Sequence, residues 1–298
     1  SIFPRNVLVG GRVVPAGVLA DFAVDKMHRI AGAALAIQRA LAKSSLPAGV
    51  QFVYGYPNDK SLIIFKRLGY KVVGESTFWV KPLRSAAKIA QRVKNPLAVR
   101  ASAAVVDAGL GVADAALSIF HRGVRRARGL RGSFDAVVLE RADARFDALW
   151  ERARGSYGIV GEKSAAYLDW RYTEFTTRKH WFYCLVDRAS GELRGYAVYR
   201  VEDGKASVED LFCEDLEETA KHLLIGLARH LRKQGASSLM LSYIGPDAFG
   251  EVLAASGFLE RPGTRSAVAY VDPAGPEDVR RVLYDKNAWF IMDGELDI

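Results

Sequence analysis

Apolar and β-branched residues fall in short runs at 13–24, 50–56 and 70–80, and between them the spacing turns helical over 33–42 and 59–68. Pro15 and Gly17 sit early in the first run and suit a strand with an irregularity there. Ser44, Ser45, Pro47 and Gly49 stop the first helix; Pro57 and Asn58 open the second, and Gly69 closes it at a C′ position. The predicted order is therefore strand, loop, helix, strand, helix, strand. An Ala-, Val- and Leu-rich stretch follows at 97–120. Beyond Ser133 the pattern predicts strands at 134–139, 181–187, 193–202, 206–213, 237–243 and from Phe258, with helices at 144–154, 164–172, 216–233 and 248–256. Gly191 and Asp203-Gly204 mark turns of a meander.

Between the first strand and the first helix stand Arg29, Gly32 and Ala34, in the order Arg-x-x-Gly-x-Ala. A strand that ends in a loop of small residues and passes at once into a helix leaves backbone N–H groups aimed at one spot, where the helix dipole also favours an anion. Gly32 permits close approach to the backbone, and Arg29 can add a charge-assisted contact. An ordinary helix start carries the same three residues, so the context decides.

That context is the element order, the loop placed five residues after Val24, and the later Asn58, Ser61, Phe65, Leu68-Gly69-Tyr70 run. Together these resemble the acyl-CoA-binding half of the GNAT acyltransferase superfamily over 13–80, and in detail bacterial tandem-domain members met beside polysaccharide-biosynthesis genes. The resemblance implies an α/β (α+β) protein of two GNAT-like domains, each a mixed twisted sheet flanked by helices. Its divisions are a first domain at 1–82, a basic helical linker at 83–133, a second domain at 134–275 and a tail at 276–298. It implies acetyl-CoA, or another acyl-CoA, as cofactor. Arg29 with the backbone of Ile30, Ala31, Gly32, Ala33 and Ala34 would hold the pyrophosphate, Phe22, Ala23 and Val24 would pair with the pantetheine arm, and Asn58, Ser61 and Phe65 would complete the site. The implied reaction is acyl transfer, acetyl first among the choices, to a primary amine such as an amino sugar. The alternative is a non-catalytic acyl-CoA-binding or membrane-associated assembly protein of a polysaccharide or envelope pathway.

An amine acceptor must lose a proton, and Asp21 is the nearest carboxylate in the chain; it reads equally as a strand-end group in a local hydrogen bond. Family members place a tyrosine on the later helix as acid to the leaving thiolate, where this chain has Phe65, which has no proton to give. Tyr54, Tyr56 or Tyr70 would substitute, or water, or the domain binds without turnover; the same tyrosines also read as core aromatics. Family members also carry further strands and helices ahead of the loop, so the first domain is expected to be incomplete at its N-terminus.

Charge changes the picture of the middle. Residues 81–132 hold eleven Lys or Arg against Asp107 and Asp114, a net of +9 in a chain of net +8. Arg100, Asp107, Asp114 and His121 recur every seven residues and so form one polar stripe on a helix with apolar faces. One reading is an interdomain helix, or a hairpin broken near Gly109 and Gly111, that buries its apolar face. Another is an element on an anionic membrane surface, through 83–133. Nucleic acid is not expected, because the arginines at 122–131 lack interleaved aromatics.

In the second half, the phosphate-loop position holds Glu214-Asp215-Leu216-Glu217-Glu218, which suits a helix start but repels pyrophosphate, so no CoA is expected there. Asp169, Trp170 and Arg171 offer an aromatic face with a charged pair, suited to a sugar or carboxylate or else to plain helix packing. The tail from Trp289 to Asp297 is apolar, then acidic, and reads as a docking strand or interdomain latch. Cys184 and Cys213 fall in predicted strands without Cys-x-x-Cys spacing, as buried thiols of an intracellular protein do. The five histidines show no metal-ligand spacing, and no metal is expected. No nucleophile elbow, Walker or dinucleotide fingerprint appears, nor a signal peptide. These features place the protein in the cytoplasm, with the inner face of the membrane as a second position. At 298 residues, half apolar, the chain has ample material for two ordinary cores.

Overall fold

The computed structural model describes residues 1–20, 23–25, 27, 32–45, 49–85, 89, 93–127, 134–262 and 265–295, without the side chains of 34, 42–45, 99, 113, 118 and 120–127. Two mixed, twisted sheets flanked by helices make up the molecule. The chain opens with a hairpin of β1 (Ile2–Val9) and β2 (Arg12–Leu19), joined by Gly10 and Gly11 at φ 56° and 86°. Both turn residues need the left-handed region, which glycine enters at no steric cost. Then come α1 (Ala33–Ser45), β3 (Phe52–Gly55), α2 (Asp59–Arg67), β4 (Lys71–Glu75) and β5 (Thr77–Pro82). A long α3 (Pro96–Ala127) leads to β6 (Phe134–Leu139), α4 (Ala144–Ala153), β7 (Ile159–Gly161) and α5 (Ala165–Asp169), which continues as a π turn at Trp170–Glu174. The meander follows as β8 (Trp181–Asp187), β9 (Leu193–Glu202) and β10 (Lys205–Cys213), with Asp203 and Gly204 both at positive φ in the last turn. After α6 (Glu218–Lys233), β11 (Ser238–Ile244), α7 (Asp247–Ala255), β12 (Leu259–Arg261) and β13 (Ser266–Tyr270), the chain ends through α8 (Glu277–Val282) and β14 (Ile291–Met292).

The first sheet runs β4-β13-β3-β2-β1-β7 and the second β12-β5-β11-β10-β9-β8-β6, with β14 added to β11. These memberships cross the divisions that the sequence suggests. The run 70–80, read as one strand, breaks at Ser76: β4 stays in the first sheet while β5 pairs with β11 and β12 in the second. In return β13 inserts between β3 and β4. Each sheet therefore draws strands from both halves of the chain, β7 and β13 entering the first sheet and β5 the second, so a boundary at 82 does not separate the two sheets. β1 and β7, absent from the sequence reading, pair with each other at the edge of the first sheet.

The largest apolar cluster lies under the second sheet, with Phe146, Trp150, Tyr196, Phe212, Leu223 and Phe249 among its fully buried members. Of two smaller clusters on the first sheet, one packs Phe65, Tyr70, Val53 and Val268 on the α2 side, and the other sets Phe52 and Tyr54 against Trp289 of the tail.

α3 is one unbroken helix through Gly109 and Gly111, so of the two forms considered it is the single helix and not the broken hairpin that is present. Each interior glycine costs about 1 kcal/mol relative to alanine. Anchors on both sides of the pair offset that cost. Asp107 accepts from the Ser85 backbone N–H (2.6 Å) and hydroxyl (2.7 Å), and Asp114 pairs with Lys81 at 2.8 Å and Arg232 at 2.7 Å. Asp107 and Asp114 thus face the protein body together with Ala103, while Leu97, Val105, Val112 and Ile119 are exposed, so the reading in which the helix buries its apolar face is not what forms.

Candidate functional site

β2 and β3 lie parallel, in register from Ala16 opposite Phe52 to Leu19 opposite Gly55. There the pairing stops. A Cβ at Gly55 would meet the Leu19 Cβ at 2.7 Å, so glycine is required where the two backbones converge. Past this point the chain leaves β2 through Ala23, which is exposed, and Val24, which is half-buried, and returns at Gly32, at φ 71°, immediately ahead of α1. Gly32 accepts from the Ala36 N–H at 3.0 Å, and Ala33 and Ala34 form the first turn. Asp21, Phe22, Arg29, Ile30 and Ala31 lie outside the described residues.

The other predicted site residues gather around β3 and α2. Asn58 caps α2, its Oδ1 accepting from Lys60 N (3.1 Å) and Ser61 N (3.0 Å), and the Ser61 hydroxyl donates back to the Asn58 carbonyl. Phe65 is buried on the α2 side, its ring 5.0 Å from that of Tyr70. Tyr54 is fully buried on the opposite face, its ring tilted against that of Trp289 with centroids 5.4 Å apart. Burial first, and the Glu295 carboxylate second, push its phenol far above the ordinary value, so it keeps its proton and can donate a hydrogen bond without readily releasing it. Tyr56 lies one alternation further on the same face, beside Ser76, Ser242, Arg265 and Asp293.

The tail supplies two carboxylates that the residue pattern alone did not single out. Trp289 donates its indole N–H to Leu283 O at 2.8 Å, Phe290 N–H bonds to Ile159 O, and β14 pairs with Tyr243 and Ile244 of β11. A 3₁₀ turn at Asp293–Glu295 then sits against β10 and β11, facing the first sheet at Tyr54 and Tyr56. Burial, reinforced by Glu209, raises Asp293 to about 6, against the Ser242 hydrogen bond and the pull of Arg265. Glu295 and Asp210 both grip the buried Lys163 ammonium, at 2.5 Å and 2.8 Å. Burial pulls the Lys163 pKa down, but the two carboxylates outweigh it and hold the amine charged. Gly294 is obligatory, since a Cβ there would collide with the Tyr172 hydroxyl and the Glu209 carbonyl.

On the other side of this turn a cavity of about 180 Å³ is walled by Phe3, Val18, Ala20, Tyr167 and Trp170, with Arg5, Arg171 and Glu295 at its polar end. The Arg5 guanidinium lies 3.3 Å over the Tyr167 ring. Of the three residues singled out in the second half, Trp170 lines this cavity and Arg171 Nε donates to Gly294 O at 3.0 Å. Asp169 is engaged elsewhere, by Arg141 and the Ala142 N–H.

The second sheet repeats the parallel pair in β10 and β11, in register from Lys205 to Val208. A bulge between Val208 and Asp210 then turns β10 away, and β14 takes over the pairing of β11. The tail thus fills the opening that stays free of it in the first sheet. The carboxylates near the start of α6 also have local partners: Asp215 accepts from Glu217 N and Glu218 N, while Glu214 binds Arg152 and Arg194.

No protein-family model and no curated protein sequence matches this chain. Solved structures do. A GCN5-related N-acetyltransferase from Kribbella flavida superposes with a TM-score of 0.52 at 18% identity, over 91% of this chain and 55% of its own. One from Anabaena variabilis gives 0.56 at 16%, over 91% and 58%. Saccharomyces cerevisiae N-myristoyltransferase with bound myristoyl-CoA gives 0.55 at 10%, over 97% and 72%. The chain spans little more than half the length of the first two. At these identities the likeness is one of fold: mixed α/β sheets flanked by helices in the GNAT arrangement.

Proposed function

We propose that this protein is an acyl-CoA-dependent N-acyltransferase of two GNAT-like units, with the acyl-CoA held in the first sheet and an acetyl group passed to a primary amine, an amino sugar being the first acceptor to try. The observation that carries the reading is the parallel β2–β3 pair that parts after Leu19 and Gly55, followed by a left-handed Gly32 and the start of α1. Such an opening admits an extended arm between the strands, and the helix start supplies N–H groups for a pyrophosphate. Arg29 and the Gly32–Ala34 backbone would hold that group, with Ala23 and Val24 along the arm.

In the reaction the amine nitrogen attacks the thioester carbonyl carbon, the C–S bond breaks, and CoA departs as a thiolate that takes up a proton. The amine must shed one. Asp293, with a pKa near 6, is ionised at neutral pH and is the group on this face suited to receive it. Asp21 is the second candidate. The cavity between Ala20 and Trp170 would take the acceptor, with a sugar ring against Trp170. Binding without turnover is the competing reading, favoured by Phe65 standing buried where family members carry the proton-donating tyrosine. Release of free thiol from acetyl-CoA across a panel of amines and amino sugars separates the two. Turnover with at least one amine, lowered by Asp293→Asn, is expected; no thiol release with any acceptor would leave only the binding reading.

A further inference from the structure

α3 turns its two carboxylates inward and a row of apolar side chains out. Asp107 and Asp114 are spent on Ser85, Lys81 and Arg232 of the body. Leu97, Val105, Val112 and Ile119 stand outward at 73%, 74%, 69% and 65% exposure. With the exposed Ala101, Ala108 and Ala115 they follow one another in steps of three or four residues, a single stripe along the helix roughly 33 Å long at about 1.5 Å per residue. Exposed apolar stripes of this extent mark contact surfaces.

Charge decides what the surface contacts. Both acidic residues of 81–132 face the body, so the outward side of the helix adds no negative charge. Lys94 and Arg100 are exposed near its N-terminal end, and the last two turns carry Arg122, Arg125 and Arg126. An apolar band bracketed by cations is complementary to an anionic bilayer, with the apolar side chains in the acyl boundary and the cations among headgroups. A second copy of the chain would bring like charges together at both ends.

Residues 96–117 are long and apolar enough to cross a bilayer, with a mean hydropathy of 1.3. The mid-helix anchors oppose it. Withdrawing α3 from the body would strip Lys81 of Asp114 in a site where both side chains are 5% exposed or less. The helix therefore lies along the surface. We infer that the outward face of α3 seats this protein on anionic lipid membranes as a peripheral element.

Sedimentation of the full chain with vesicles tests this. Binding to phosphatidylcholine vesicles containing phosphatidylglycerol is expected to exceed binding to phosphatidylcholine alone by about tenfold or more, and to fall in molar salt. Val105→Glu/Val112→Glu should weaken it about tenfold, and the uncharged Val105→Ser/Val112→Ser pair should weaken it in the same direction. Both positions are exposed, so circular dichroism should show the fold intact. Equal binding to neutral vesicles, or indifference to both double variants, would overturn the inference. So would retention after alkaline carbonate washing, which marks a spanning helix, or self-association without lipid that the glutamates abolish, which marks a second copy as the occupant.

Discussion

Asp293→Asn offers a sharp test of the tail turn, because stability and activity should move in opposite directions. In the folded protein the Asp293 carboxyl is raised from 3.8 to about 6, chiefly by burial. A raised acid favours its protonated form on folding. Between pH 4 and pH 6 the native state therefore holds more protons than the unfolded chain, and the stability of the wild type falls as pH rises through that window. At about 1.36 kcal/mol per pH unit, the loss is about 3 kcal/mol, complete above pH 6. Asparagine carries no charge to desolvate and can still meet Ser242. Urea unfolding from pH 4 to pH 8 should then show the variant more stable than wild type by about 3 kcal/mol at pH 7 and level with it near pH 4. Amine acylation should drop at the same time. Parallel stability curves for the two proteins across the whole range would refute the reasoning, since they would mean the carboxyl is not buried as described.

Other perturbations follow from the same geometry. Lys163→Met leaves Asp210 and Glu295 facing each other in a site almost wholly shielded from water and should cost about 3–5 kcal/mol in urea unfolding, with the tail the first region to lose hydrogen-exchange protection. Trp289→Ala removes the ring packed on Phe52 and Tyr54 and should cost about 3–5 kcal/mol. Gly55→Val cannot fit where β2 and β3 converge on Leu19, so thermal denaturation should report a loss of at least about 2 kcal/mol.

Much of the second half of the chain was legible because its strands are apolar, aromatic and β-branched runs and its turns carry their own chemistry. β6, β8 and β9 fall on the expected residues, and Asp203-Gly204 makes the expected turn. β1 escaped notice because Pro4 and Arg5 interrupt its apolar run; Arg5 is buried by partners remote in sequence, the Tyr167 ring and the Glu162 carbonyl. The exchange of β5 and β13 between sheets has no local signature, since alternation states which residues face inward but not which sheet receives them. The heptad spacing of Asp107 and Asp114 was equally plain, yet the side they face is set by Ser85, Lys81 and Arg232 on other elements. At the site, the strand–loop–helix order could be read from residue types, whereas Asp293 and Glu295 looked like an acidic tail until β14 fixed them beneath the first sheet.

The central claim concerns the opening between β2 and β3, and calorimetry with acetyl-CoA tests it most directly. Wild type should show saturable heat at one site per chain, because the tail already fills the second opening, and Arg29→Glu should abolish that heat while the protein stays folded. Absence of heat in the wild type, or equal binding by the Arg29→Glu variant, would contradict the account.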